Sequence, residues 1–214
     1  MKEVAQIAWK KLVQDFQSPA AVADKLFGEL QKKYAGRGRH YHNWQHVESL
    51  LALSERYASQ LSDKQVVDFA IFYHDAVYNV LRKDNERRSA VMAMNRLDLL
   101  QVSAKVIGLV YIYIEATQTH RIPQGRDYAA DLAFFLDFDM SILAADRETY
   151  RLYKEQVRKE YSLVPSALYK PGRKRFLQAC LDNSSIFHTA EFRSQYEAKA
   201  RANLQWELET DYGV

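Results

Sequence analysis

Apolar residues recur at helical spacing along most of this chain, and few helix-breaking residues lie between them. The 214 residues include only 7 glycines and 4 prolines. Residues 3–16 and 19–34 each place their apolar side chains on one helical face. The sequence also lacks repeats and proline- or serine-rich linkers. We therefore predict an all-α fold in a single domain spanning residues 1–214.

Three later segments are apolar on nearly every side, which predicts buried helices. They are "VVDFAIFYHDAVYNV" (66–80), "SAKVIGLVYIYIEATQTH" (103–120) and "YAADLAFFLDFDMSILAA" (128–145). The second is rich in β-branched and aromatic residues and is compatible with a strand, but its length and helical neighbours favour a helix over 104–118. Ser62 and Gln65 form a capping-box pattern that opens the first segment.

The overall composition is that of a globular protein, with 48% hydrophobic and 27% charged residues. The formal net charge of +3 is too small to indicate nucleic-acid binding. A single cysteine, Cys180, excludes an intramolecular disulfide and a cysteine-rich zinc site. The N-terminal stretch "MKEVAQIAWKKLVQDF" has charges within its apolar residues. We expect neither a signal peptide nor a membrane span, and we predict a cytoplasmic protein with no membrane partner.

Ionisable side chains interrupt two of the segments that are predicted to be buried away from water. His74 and Asp75 lie in the first segment, and Asp137 and Asp139 lie in the third. An ionised carboxylate in such a place is costly unless it is paired, neutralised or bound to a metal. The side chains one helical turn from Asp139 are all large and apolar, whereas those around Asp137 include a serine and an alanine. The sequence therefore predicts that Asp139 points most firmly into the core.

Taken singly, a buried histidine or aspartate usually has a structural role as a hydrogen-bonded or paired core residue. Taken together, His46, His74, Asp75 and Asp139 are explained by one divalent metal site, with two imidazoles and two carboxylates supplied by three helices. Nitrogen and oxygen ligands of this kind suit Mn, Fe, Co, Ni or Zn and, less well, Mg.

The same residues resemble the HD-domain superfamily of metal-dependent phosphohydrolases. "YHNWQHV" is similar to the YHNxxH entry motif of several HD proteins, including cyclic-nucleotide phosphodiesterases. "HDAVYN…DNERRSA", "TQTH", "FLDFDMSIL" and "GRKRFL" resemble predicted HD phosphohydrolases of bacteria. The resemblance runs from about residue 37 to the C-terminus. It implies an HD-type helical bundle with a metal-binding core at about 40–145, helices 146–214 packed on it, and additional N-terminal helices.

The resemblance also implies residue roles. His46, His74, Asp75 and Asp139 occupy the metal-ligand positions, and His42 occupies the place of a histidine that protonates the leaving oxygen. The candidate catalytic residues are therefore His42, with Glu86 and His120 at positions characteristic of this branch. Asn79 stands where the branch has an acidic residue, which weakens the case for a second metal ion. We expect one ion, and a second site stays open.

Basic residues near these motifs are candidates for binding phosphate oxygens. Arg39 precedes the histidine-rich stretch, and Arg173 and Arg175 belong to "GRKR", which we expect at a helix start, where anions are favoured. Alternatively, "GRKR" is a charged stretch on the solvent-exposed surface with no role in binding. His42 is either the general acid or a surface residue. His40 is expected at the surface, and His120 is open between a second metal site, a phosphate contact and a helix end.

These observations favour a hydrolase that cleaves phosphate ester or anhydride bonds of a nucleotide or another small phosphorylated metabolite with metal-activated water. The alternative is a binding or sensing module that keeps the metal without efficient turnover. A basic helical nucleic-acid binder is the third interpretation, but no motif of that class is present. A homodimer remains open.

Overall fold

A computed structural model describes residues 2–14, 16 and 18–213. Over these residues the chain forms ten α-helices and two short 3₁₀ turns, with no strand, which confirms the all-α prediction. The helices are α1 (Lys2–Val13), α2 (Ala20–Tyr34), α3 (Trp44–Arg56), α4 (Lys64–Tyr73), α5 (Asn85–Leu99), α6 (Ala104–Ala116), α7 (Ala129–Met140), α8 (Arg147–Glu160), α9 (Ser166–Asp182) and α10 (Ala190–Tyr212). The 3₁₀ turns are Ala58–Gln60 and Ser141–Ala144.

The helices predicted over 3–16, 19–34, 66–80 and 104–118 all begin within two residues of their predicted starts, but most of them end earlier. The helix predicted over 104–118 is α6 and ends at Ala116. The helix predicted over 3–16 ends earlier, at Val13, and residue 15 of that prediction lies outside the described residues. Among the helices that the structure describes, none combines the length and the apolar character needed to cross a membrane.

The chain divides into two compact units, Met1–Phe135 and Leu136–Val214. The division falls within α7, so this helix contributes residues to both units. The single-domain organisation, with a metal-binding core at about 40–145, stays a prediction.

In the first unit, α4 is the most deeply buried helix. Every residue from Val66 to Tyr73 is buried, as its nearly continuous apolar sequence predicts. The cap at its N-terminus differs from the predicted Ser62–Gln65 capping box, because the side chain of Asp63 accepts the N–H of Val66 at 3.3 Å. The backbone N–H of Ser62 instead donates to Asp131, a buried residue 69 positions along the chain. A contact between residues so far apart in the chain cannot be predicted from a local sequence pattern.

The first apolar segment was predicted to continue as a helix to residue 80, and this is wrong. α4 ends at Tyr73, and His74 is its C-terminal cap. The chain then turns, and Ser89 of α5 fixes the turn: its Oγ accepts the N–H of Val77 at 3.0 Å and donates to the carbonyl oxygen of the same residue. The early end places His74 and Asp75 where the backbone leaves the helix.

In the second unit, α9 begins at Ser166, so "GRKR" lies in the middle of the helix and not at its start, contrary to prediction. Arg173 is buried and forms a two-pronged ion pair with Glu207 of α10, with both nitrogen–oxygen distances at 2.9 Å. The Tyr150 hydroxyl donates to the same carboxylate at 2.6 Å. These contacts join α8, α9 and α10.

Candidate metal centre

Two helix ends supply the histidines of the candidate site. α3 begins at Trp44, because the side chain of Asn43 accepts the N–H of Gln45 at 2.8 Å and caps the helix. This places His46 in the first turn of α3, where it is buried. His74, also buried, caps the far end of α4, and Asp75 follows it in the turn.

Three ligand atoms from these residues converge. The Nε2 atoms of His46 and His74 lie 3.1 Å apart. Oδ2 of Asp75 lies 3.1 Å from Nε2 of His74 and 3.8 Å from Nε2 of His46. Ligands bound at about 2.1 Å to one ion are separated by roughly 3.0–3.4 Å in octahedral or tetrahedral geometry. Two of the three separations lie in this range and the third exceeds it by about 0.4 Å, so His46, His74 and Asp75 could hold a metal ion after a small adjustment of the side chains.

The hydrogen bond at Nδ1 of His74 determines which ring nitrogen carries the proton. Nδ1 of His74 lies 2.9 Å from the carbonyl oxygen of Ile71, one turn earlier in α4. Because a carbonyl only accepts hydrogen bonds, Nδ1 must be the protonated nitrogen. A neutral His74 therefore presents an unprotonated Nε2 to His46 and Asp75. Metal-binding histidines commonly have this arrangement, with the outer nitrogen donating to a carbonyl or carboxylate.

The electrostatics favour a charged Asp75. Burial alone would raise the pKa of this carboxyl, but positive charge on His74, His42 and His46, and a hydrogen bond from Nε2 of His74 in its doubly protonated form, more than offset burial. The pKa of Asp75 is therefore well below its ordinary value. Its side chain keeps 19% of its surface exposed, so one edge of the group is open to an incoming molecule.

His42 lies at the open edge of this group. It precedes α3, so it is not one helical turn before His46 within the helix, as the sequence suggested. Its Nε2 lies 3.9 Å from Oδ2 of Asp75, and 21% of its side chain is exposed. Its ring packs against Tyr78 with centroids 4.4 Å apart and against Tyr41 with centroids 5.0 Å apart. His40 is exposed, which confirms its assignment to the surface.

Other predicted site residues of the first unit are placed differently. Glu86 is half-buried in the first turn of α5, and His120 ends the turn after α6 with a left-handed φ of 49°. In the part of the chain that the structure describes, neither belongs to the converging group of ligand atoms. The side chain of Asn79 accepts the N–H of Leu81 at 2.9 Å, and the backbone N–H and carbonyl oxygen of Asn79 exchange two hydrogen bonds with the side chain of Asn85. The side chains of Asn79 and Asn85 together therefore order the loop before α5.

The guanidinium of Arg39 does not point into open space as a phosphate-binding group would. It donates to the backbone carbonyl oxygens of His42, Asp75 and Ala76, at 3.0, 2.7 and 3.3 Å. These donors are therefore already paired with backbone carbonyl oxygens, and the role of Arg39 in binding substrate stays a prediction. The same holds for Arg173, whose Nε and two Nη atoms all donate to Glu207 or Tyr153.

The burial of the α7 carboxylates is the reverse of the prediction. Asp137 is 1% exposed, whereas Asp139 is only half-buried. The carboxylate of Asp137 accepts the N–H groups of His188 and Thr189 at 2.7 and 2.8 Å and the Thr189 hydroxyl at 2.7 Å. Burial raises its pKa, although these hydrogen bonds oppose the shift. Asp137 thus fixes the chain at the start of α10. The role of Asp139 as a ligand stays a prediction.

Sequence reasoning missed the surroundings of the ligands more than the ligands themselves. Tyr78 lies inside the quoted motif "HDAVYN", and the Ile71 carbonyl lies three residues before His74, so both were within reach of local reasoning. The role of Tyr34, whose hydroxyl donates to the carbonyl oxygen of Phe72 at 3.0 Å, had no local signal. Comparisons with models of protein families, with curated proteins and with solved structures found no match.

Proposed function

We propose that this chain is a metal-dependent phosphohydrolase whose ion is bound by His46, His74 and Asp75. The observation that carries most weight is the pair of contacts on His74. Nδ1 donates to Ile71, and Nε2 faces His46 and Asp75 at 3.1 Å. The resemblance to HD-domain phosphohydrolases supports the same ligand set. When bound, a divalent cation supplies a hydroxide nucleophile near neutral pH and offsets charge on the phosphoryl group.

The residues around the ligands divide the remaining work. His42 donates the proton that the leaving oxygen needs, because its ring is partly exposed and lies beside Asp75. Tyr41 and Tyr78 hold the His42 ring from two sides and limit its rotation. The substrate class is a nucleotide or another small phosphorylated metabolite in the cytoplasm.

A phosphate-release screen tests this function. Metal-free protein is restored separately with Mn²⁺, Co²⁺, Ni²⁺, Zn²⁺ or Mg²⁺ and assayed against nucleotides and sugar phosphates. We expect turnover with at least one ion, loss of turnover in His74→Ala, and full turnover in His40→Ala, because His40 is an exposed histidine outside the group. If the protein binds an ion tightly but releases phosphate from none of these substrates, the sensing module is the better description.

A further inference from the structure

We infer that Arg39 is a positioning residue, which ties the segment that carries His42 to the segment that carries Asp75. The catalytic consequence rests on the proposed function, but the tie between the segments does not. Arg39 and Asp75 are 36 residues apart in the chain, and the Arg39 side chain bridges the two segments.

The hydrogen bonds of Arg39 define the bridge. Nη1 donates both to the carbonyl oxygen of His42, at 3.0 Å, and to that of Asp75, at 2.7 Å. Nη2 extends the contact to the carbonyl oxygen of Ala76 at 3.3 Å. All three acceptors are backbone carbonyls outside the helices, one just before α3 and two just after α4, so the guanidinium supplies hydrogen bonds that no helix provides there.

Aromatic rings keep the guanidinium in place. Its central carbon lies 5.3 Å from the ring centroid of Tyr34 and 5.1 Å from that of Tyr78. Burial raises the pKa of Tyr34, so its hydroxyl stays protonated and donates to the carbonyl oxygen of Phe72 at 3.0 Å. Tyr78 also contacts the ring of His42, so Arg39 acts on His42 through both its carbonyl and its side-chain neighbour.

This geometry requires arginine. A planar guanidinium donates several hydrogen bonds in one plane while its faces stack on aromatic rings, and a lysine ammonium cannot do both. Arg39→Lys should therefore keep the positive charge but lose the planar set of donors, and the two segments should no longer be held together. A phosphate-binding arginine, in contrast, would leave both segments ordered when it is replaced.

The first experiment measures hydrogen–deuterium exchange in wild type, Arg39→Lys, Arg39→Met and the control Arg56→Met. Arg56 lies on α3 outside the site, with its guanidinium 5.6 Å from the Tyr57 ring. We expect residues 40–43 and 74–78 to lose protection together in both Arg39 variants and to keep it in Arg56→Met. Wild-type protection of residues 74–78 in both Arg39 variants would overturn the inference.

The second experiment measures binding and turnover. Titration with Co²⁺ should show affinity lowered by about 10–100-fold in Arg39→Lys, as for other residues that orient metal ligands, with an altered Co²⁺ absorption spectrum. In turnover, kcat should fall while KM stays near wild type, and Arg39→Lys should add little to His42→Ala. A raised KM with unchanged Co²⁺ binding would assign Arg39 to phosphate binding instead. If wild type binds no Co²⁺, the proposed function fails, and the exchange experiment alone decides whether Arg39 ties the segments.

Discussion

The Nε2 atoms of His46 and His74 lie 3.1 Å apart in the interior, although 28 residues separate them in the chain. Two imidazole nitrogens at this distance need a proton or a cation between or beside them, because two bare lone pairs repel each other. Nδ1 of His74 is already committed to Ile71. The space beside Nε2 is therefore a place where protons and a metal ion compete.

This competition predicts a pH dependence of metal binding. Burial opposes the charge on Asp75, but the neighbouring histidines lower its pKa. A carboxyl with a lowered pKa contributes its full stabilisation above its ordinary pKa of about 3.9, and this contribution is lost only as the pH falls from there towards the lowered value. Mild acid therefore acts on the imidazoles, which bind metal only when Nε2 is unprotonated.

We expect Co²⁺ affinity to fall by up to about tenfold per pH unit for each displaced proton as the pH decreases from about 7.5 to about 5.5. Titrations monitored by the Co²⁺ absorption spectrum measure this directly. An affinity that does not change over this interval would mean that no imidazole belongs to the site.

His42→Ala tests the proton donor. Because His42 lies 3.9 Å from Asp75 at the edge of the group, its removal should leave metal content and stability near wild type. Turnover of an alkyl phosphate should fall by about 10²–10⁴, whereas an activated aryl phosphate, whose leaving group hardly needs a proton, should lose much less. Equal losses for both substrates would reduce His42 to a residue that orders the site, and loss of metal would make it a ligand.

Asp137→Asn and Asp139→Asn should separate a structural carboxylate from a metal ligand. Asp137 accepts three hydrogen bonds at the start of α10, so its replacement should destabilise the metal-free protein by about 1–3 kcal/mol. Asp139→Asn should lower the metal content if Asp139 is the ligand that the sequence predicts. Thermal unfolding and elemental analysis read out the two effects, and the reverse pattern would make Asp137 the ligand.

Arg173→Met should lower the free energy of unfolding. Its partner Glu207 is 1% exposed, so removal of the guanidinium leaves a buried carboxylate without its counter-charge, at a cost of about 3–5 kcal/mol. Arg175→Met, at an exposed position of the same helix, should change stability by less than about 0.5 kcal/mol. Chemical denaturation compares the pair. Comparable stability in both variants would mean that the ion pair contributes little.

The sequence was sufficient to predict that the chain is helical and where several helices begin, because apolar periodicity is a local signal, but it did not predict the end of α4 or the start of α9. The helix predicted over 104–118 forms despite its β-branched residues, but of its residues only Val110, Tyr113 and Ile114 are buried, so the prediction that it is buried on nearly every side is wrong. The sequence was also sufficient to predict that His46, His74 and Asp75 form one group, because ionisable side chains in the protein interior need partners.

The sequence failed where partners come from far along the chain. Counting apolar neighbours ranked Asp139 above Asp137, but the N–H groups that make Asp137 a good buried group belong to His188 and Thr189, about fifty residues later. Arg39 and Arg173 were judged by charge alone. Their acceptors, a set of backbone carbonyls and the Glu207 carboxylate, become visible only when the chain is folded.

Elemental analysis of the purified protein tests the metal centre most directly. Wild type and His40→Ala, expressed with divalent metals in the medium and freed of loosely bound ions, should each retain one transition-metal ion per chain. His74→Ala should retain almost none, because it loses the nitrogen that faces both His46 and Asp75. A wild type that takes up no ion, or a His74→Ala protein that keeps the full complement, would contradict the metal centre described by these residues.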